Sequence, residues 1–507
     1  MGLLIGIDIG TTSTRTIVVS EQGEVLASAV EAYPLSTPKP LWSEQAPAAW
    51  WKATALTIRK VLASVDAGSI KGIGLSGQMH GLVLLDAANE VLRPAILWND
   101  QRTSEQCAWI TETVGRDRLV EQTCNPVLTG FTAGKIVWVR QHEPELFARA
   151  RMMLLPKDYI RFQLTGEFAT EVSDASGTSL FHVPERRWAT DILDRLELCA
   201  DHLPSSHESF EISGQVSKAA AEATGLKEGT PVVGGGGDQA AGAVGMGIVK
   251  PGAISISLGT SGVVLAHATT PTTDPPLRTH TFCHAVPNQW HVMGVMLSAG
   301  GSLRWFRDAL CGEETGLSRR LGRDAYEFIT EEAEQAPAGC EGLIFLPYLT
   351  GERTPHPDPF ARGAFVGLTL RHGKAHLARA VLEGVAFGLR DSLEIMKAMN
   401  VELDEIRITG GGARSPFWRQ IQADVYGLPL SVLNIDEGPA FGVALLAGVG
   451  AGVFGSIEEA CAATLRVTGV TEPDRHAHEQ YAETYNLYRG LYPALKDSFG
   501  AAARLAS

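Results

Sequence analysis

The sequence predicts an α/β protein built from two domains with a cleft between them. Three observations carry this. The chain has 507 residues, whereas single hydrophobic cores stop growing near about 250–300. Two strand–polar turn–strand phrases, GIDIGTTST at residues 6–14 and SISLGTSGV at residues 255–263, echo one another half a chain apart. In the second half, strand-like and helix-like segments alternate, as they do in layered α/β folds.

The chain opens with three strands. Leu3 to Ile9 is the first, and Thr14 to Ser20, rich in β-branched residues, is the second. A turn at Gln22-Gly23 leads into the third, Val25 to Glu31. Gly10-Thr11-Thr12-Ser13 is the short polar link between the first two. A β-branched run at Val232-Val233 enters four glycines, then Asp238 and an alanine-rich helix. Lys250-Pro251-Gly252 breaks the chain just beyond. This sets the domains at residues 1–248 and 249–507. Ala253 to Leu258 and Val263 to Ala266 repeat the opening hairpin. Apolar residues from Ala378 to Leu393 recur at helical spacing and predict one long helix from about Ala375 to Ala398. A strand at Glu405–Thr409 follows, then a helix that Ser415 caps, Pro416 opens and Gly427 closes. Pro439 to Val453 is apolar but too short to span a bilayer, which takes about 20 residues. Its small side chains suit a helix laid close on a sheet.

Composition narrows the function. The chain is 45% hydrophobic and 20% charged, with a net charge of −14 and no basic stripe. Nucleic-acid and membrane partners are not expected, so an anionic ligand must be held locally by backbone N–H groups, a few cations or a metal. Seven scattered cysteines without a CxxC pair favour reduced thiols in a cytoplasmic protein. The first residues reach Asp8 too soon for a signal peptide.

Asp8-Ile9-Gly10-Thr11-Thr12 has two readings. The turn can bind phosphate oxygens while the carboxylate holds Mg²⁺, directly or through water. Alternatively, Asp8 is satisfied inside an Asx-type turn. The partner phrase at Gly259-Thr260-Ser261 favours the first, since two such hairpins can clamp a polyphosphate. Asp238 lies beyond a glycine run at a strand end, where α/β proteins bind ligands. It is either a general base for a sugar hydroxyl or a cap for the helix that follows. Gly410 to Ser415 joins a strand to a helix start, suited to a flat ligand or simply a glycine-rich joint. GxxxxGK[ST] is absent, which excludes a P-loop kinase. Trp42-Ser43-Glu44-Gln45, Gln78-Met79-His80-Gly81 and Trp98 to Arg102 combine aromatics with polar groups, as a sugar site requires.

These residues together resemble the FGGY carbohydrate kinases of the actin-like ATPase superfamily, from Ile5 to about Tyr492. Gly130 to Trp138 is similar to the family's first signature, and Gly410 to Asp424 to its second. Within the family, Leu41–Gln45, Gly77–Gly81, Ile96–Asp100, Leu155–Tyr159 and Gly351–His356 are most similar to the members that phosphorylate xylulose. Two positions depart: Gln239 stands where some of these carry asparagine, and Gly134 where some carry proline. Glutamine also follows the aspartate in glycerol kinases.

The resemblance implies two ribonuclease H-like domains, the first binding sugar and the second nucleotide. It implies Asp238 as catalytic base and Asp8 as a second catalytic carboxylate at the metal. Met79 and His80 would contact substrate, joined by Trp42, Asp100 and Gln239. Thr11, Thr12, Gly259, Thr260 and Ser261 would hold phosphates, and Gly411, Gly412 and Ser415 would line the adenosine pocket. The expected reaction is ATP- and Mg²⁺-dependent phosphorylation of D-xylulose, with homodimerisation left open. L-Ribulose, D-ribulose and glycerol are alternative substrates. A non-catalytic actin-like ATPase module is a further alternative, but it has no need of a pentulose pocket.

Overall fold

The computed structural model describes residues 2–506. In its first half, β1 (Leu3–Ile9), β2 (Ser13–Ser20), β3 (Val25–Ala32), β4 (Ile70–Gly77), β5 (Ile212–Gln215) and β6 (Pro231–Val233) form one sheet. Their order is β5-β6-β4-β1-β2-β3, and a short β7 (Gly236–Gly237) also pairs with β4. Strands β1, β2 and β3 are antiparallel neighbours, whereas β4 is parallel to β1, and β6 and β7 are parallel to β4. Leu3, Ile5, Ile7 and Ile9 of β1 pack with Trp50, Ile58 and Val61 of α1 (Pro47–Leu62). Around this sheet lie α2 (Thr132–His142), α3 (Pro156–Thr165) and α4 (Asp238–Gly245).

The second half repeats the pattern. Strands β8 (Gly252–Leu258), β9 (Gly262–Ala268), β10 (His280–Cys283), β11 (Trp290–Met296), β12 (Leu403–Thr409), β13 (Leu430–Leu433) and β14 (Val467–Thr471) are ordered β10-β11-β9-β8-β12-β13-β14. Here β8 corresponds to β1, β9 to β2, β12 to β4 and β13 to β6, with the same parallel and antiparallel relations. The outer strands β5 and β14 both run antiparallel to their neighbours, although β5 precedes β6 and β14 follows β13 in the chain. The echo between the two GT phrases is therefore a repeated topology. Helices α5 (Gly300–Leu310), α6 (Lys374–Ala398), α7 (Pro416–Tyr426), α8 (Gly438–Gly450) and α9 (Arg475–Ala506) complete this half. The apolar face expected of α6 is buried, with Val381, Leu382, Val385, Ala386 and Leu389 all inaccessible.

The break at residue 248 falls between α4 and β8, yet α8 returns to the first sheet. It packs with Leu4 and Ile17 of that sheet and with Ala240, Ala241 and Val244 of α4. The approach is close enough to require glycine. A Cβ on Gly6 would lie 1.8 Å from the carbonyl oxygen of Ala440, and one on Gly74 would lie 1.9 Å from that of Val443. Gly442 stands in the same relation to Ala241 of α4, at 1.8 Å. A helix of the second half is thus set into the first, on the sheet face that carries Leu4 and Gly6.

Candidate active site

Strand alternation decides where Asp8 points. Side chains at i and i+2 share a face, so Leu4, Gly6 and Asp8 face α8 while Ile5, Ile7 and Ile9 face α1. On β4, Gly72, Gly74 and Ser76 occupy the same face, and Ser76 is the register partner of Asp8. Ser76 also pairs with Gly236 of β7. Asp8 and Gly236 therefore flank one residue of β4, about 10 Å apart at two strand spacings, and Asp238 follows Gly236 by two residues.

The two carboxylates sense each other. Burial raises the Asp8 carboxyl to about 6, against the nearby Ser76 hydroxyl and the charge of Arg15. Burial, and then the charge of Asp8, raise Asp238 to about 7, against hydrogen bonds from Gln239. Two partly buried acids near each other, both raised, suit proton transfer near neutral pH. Asp238 is also the first residue of α4, so the helix-start reading describes its position without excluding the other.

The Oδ1 of Asp8 is buried without a hydrogen-bond partner. Among the described residues, no group of three or more metal-capable side chains occurs. Mg²⁺ is usually held by one or two carboxylates completed by substrate phosphates and water. The unpartnered Oδ1 of Asp8 fits that ion as one such carboxylate.

Behind Asp238 the backbone is braced. The N–H of Gly237 donates to Ser173 Oγ at 3.1 Å, and that hydroxyl donates to Glu171 at 2.9 Å. Fully buried Lys157 lies 2.7 Å from Asp158 and 3.1 Å from Asp174. Lys157 and Asp158 belong to the Leu155–Tyr159 segment, which is thus tied to the floor of the site. Glu171 and Ser173 carry no sequence signal that separates them from ordinary polar residues.

Met79 and His80 come to the same place. A Cβ on Gly237 would lie 2.9 Å from Cγ and Sδ of Met79, and one on Gly177 would lie 2.4 Å from Nδ1 of His80. His80 adopts a left-handed φ of 69°. Its Nδ1 lies 2.7 Å from the carbonyl oxygen of Gly177. A carbonyl only accepts, so Nδ1 carries the proton and Nε2 is left as an acceptor. Burial, then the charge of Lys135, lower His80 to about 3, which keeps the ring neutral. Its ring centroid lies 4.6 Å from that of Phe131 in the first half and 6.2 Å from that of Phe282 in the second. The charge of Arg353, also from the second half, reaches both His80 and His280.

Trp42 and Asp100 both contact Arg102. The Arg102 guanidinium lies 3.6 Å from the Trp42 ring centroid and Lys39 lies 4.4 Å from it, with Trp138 edge-on at 5.4 Å. Asp100 is fully buried and accepts from the Ser43 N–H at 2.7 Å and from Arg102 at 2.6 Å. Among the described residues, no hydrogen bond or ring contact joins either residue to Met79, His80 or Asp238. They hold the segments that carry Ser43 and Trp98.

The two polar turns occupy equivalent positions after β1 and β8. In the first, Thr11 Oγ accepts from Trp98 Nε1 at 2.9 Å and its carbonyl accepts from Gln45 at 2.7 Å, while Thr12 is exposed. In the second, Gly259, Thr260 and Ser261 are exposed, and their carbonyls accept from the start of α5: Gly300 donates to Gly259, and Ala299 and Gly301 donate to Thr260, each at 2.9 Å. Gly410 has a φ of 87°, and a Cβ there would lie 2.7 Å from the carbonyl of Leu258. The second glycine loop thereby lies beside the second turn. Gly411 is exposed with open space around it, whereas Gly412 is buried on Leu258. Ser415 caps α7, its Oγ accepting from Trp418 at 3.3 Å. Only the first turn has an acid before it, because Ser257 stands at the position equivalent to Asp8.

Two sheets of one topology, each with a polar turn after its first strand and acids on one side only, form a two-lobed α/β protein whose turns suit phosphate. The FGGY carbohydrate kinase N-terminal domain profile matches residues 3–245 and its C-terminal domain profile matches residues 254–451. Xylulose kinase of Escherichia coli K12 is 42% identical over 97% of this chain and 99% of its own. Gluconokinase of Bacillus subtilis is 32% identical over 97% of this chain and 94% of its own. A kinase structure from Brucella ovis, described as a xyloylose kinase, superposes with a TM-score of 0.89 at 38% identity, covering 98% of this chain and 99% of that one. The chain belongs to the FGGY family of carbohydrate kinases. It is a mixed α/β protein, and no helix among the described residues is long and apolar enough to cross a membrane.

Proposed function

We propose that this kinase transfers the γ-phosphoryl group of ATP to D-xylulose, giving ADP and D-xylulose 5-phosphate. The observation that carries the reaction is the pair of raised carboxylates, Asp8 on the first sheet and Asp238 at the start of α4, the second raised in part by the charge of the first. Asp238 accepts the proton of the terminal sugar hydroxyl as that oxygen attacks phosphorus. Met79 and the Nε2 acceptor of His80 orient the ketose, with Gln239 beside the base. The Thr11–Thr12 and Gly259–Ser261 turns hold phosphates through N–H and hydroxyl donors, Gly411 leaves room for the base and ribose, and Gly412 lets the loop lie close on Leu258 beneath them. Asp8, with Asp238 nearby, would hold Mg²⁺, which neutralises charge on the phosphates when bound. Residues 1–248 supply the sugar side and residues 249–507 the nucleotide side. Phe282 and Arg353 reach the His80 pocket from the second half, so closure of the cleft completes the site and excludes water.

The greater identity to a xylulose kinase than to a gluconokinase over the same span favours the ketose. The test is a coupled ADP assay with D-xylulose, L-ribulose, D-ribulose, glycerol and D-gluconate. D-Xylulose should give the highest kcat/KM, by about tenfold or more, the factor that 1.4 kcal/mol of differential binding supplies. A higher kcat/KM for any of the others would overturn the substrate assignment and leave the reaction class standing.

A further inference from the structure

The segment Gly130 to Trp138 stands out in the sequence, yet the mechanism above gives it no task. The structure does. Lys135 is fully buried on α2, and its ammonium donates to three backbone carbonyls: that of His80 at 3.0 Å, that of Phe131 at 3.2 Å and that of Gly130. An ammonium has three protons, and each has an acceptor here. Thr132 Oγ donates to the same His80 carbonyl at 3.1 Å. Phe131 lays its ring against the imidazole. Gly177 closes the opposite side, accepting from Nδ1. Three neighbours in sequence thus grip one residue by its carbonyl and its ring.

His80 needs such a grip. A left-handed φ is uncommon on any residue but glycine, although histidine, with asparagine and aspartate, adopts it more readily than most, and a side chain that must aim at a ligand from that conformation has to be held by its surroundings. Burial pulls the Lys135 amine down to about 7, against the charge of Asp100, while three carbonyl acceptors favour its charged form, which makes short, strong bonds. Burying an ammonium without a carboxylate partner is unfavourable, and no ion pair to Lys135 occurs among the described residues. Such a group is held for what it positions.

We infer that Lys135, with Thr132, is a positioning residue that fixes the backbone of His80 and thereby aims Nε2 at the ketose. This rests on the reading of His80 as a substrate contact, and the test separates the two. Lys135→Met, Thr132→Val and His80→Ala are compared with the parent enzyme by steady-state kinetics and thermal melting. In Lys135→Met, KM for the ketose should rise about tenfold or more, and in Thr132→Val about threefold, reflecting loss of a charged and a neutral hydrogen bond respectively. KM for ATP should stay within about twofold in both, because the nucleotide side is untouched. A purely structural role would instead lower the melting temperature and the yield of active enzyme without moving ketose KM apart from ATP KM. If Lys135→Met does not fold, Thr132→Val decides alone: an unchanged ketose KM overturns the inference. If His80→Ala leaves ketose KM unchanged, the substrate-contact reading fails, and this inference fails with it. A raised KM in His80→Ala beside unchanged values in the other two overturns the positioning role alone.

Discussion

Asp238→Asn is expected to lower kcat about 10³-fold, the middle of the range that a general base contributes. Asparagine keeps the shape and the hydrogen bonds at the start of α4 but cannot take a proton. KM for ATP should change by no more than about twofold, since the substitution leaves the proposed phosphate turns at Thr11–Thr12 and Gly259–Ser261 unchanged. Steady-state kinetics with saturating ketose and varied ATP checks both numbers. A variant that keeps more than about a tenth of the parent kcat would remove Asp238 as the base. The parent profile carries a second mark. A base that titrates near 7 in the free enzyme must be ionised to act, so kcat/KM should rise with pH and level off above about 7.

Asp8→Asn should lower kcat about 10²-fold or more, because it removes a carboxylate from the phosphate side of the site. It should also raise the Mg²⁺ concentration needed for half-maximal rate. The residual activity is as informative as the loss. The charge of Asp8 is one of the two causes that raise Asp238, and asparagine has no charge. The acid limb of the kcat/KM profile should therefore move to lower pH in this variant. A limb that stays put, or moves up, would show that the two acids are not coupled. Arg15, the register partner of Asp8, favours the ionised form of Asp8, and it also pairs with Glu437 just before α8. The acid pair is thus tied to the helix that the second half sends into the first sheet.

Much of this was legible in the sequence because it is local. A β-branched run, a Gly-Thr-Ser turn and another run specify a hairpin wherever they occur, and both hairpins form as read. Ser415 and Pro416 announce a helix start through hydrogen bonds within one turn of chain. The small residues from Pro439 onward show that a helix lies close on a sheet, but not which sheet. That choice depends on Gly6 and Gly74, more than 350 positions away in the chain. Trp42 and Asp100 have the residue types that a sugar pocket uses. Both also contact Arg102, in a geometry that composition does not reveal. Ser76, Glu171 and Ser173 escape notice for the converse reason: their importance comes from what tertiary structure sets beside them. Arg15 was within reach, since counting back from the Gly10 turn pairs it with Asp8.

The central claim is that Asp238 stands between the ketose and the nucleotide. A crystal structure of Asp238→Asn with D-xylulose, Mg²⁺ and a non-hydrolysable ATP analogue tests it most directly. The terminal hydroxyl of the sugar should lie about 3 Å from the side chain at position 238, in line with the γ-phosphorus, with phosphate oxygens on the Gly259–Ser261 turn. A ketose bound with that hydroxyl turned away from position 238, or a nucleotide whose phosphates lie away from both turns, would contradict it.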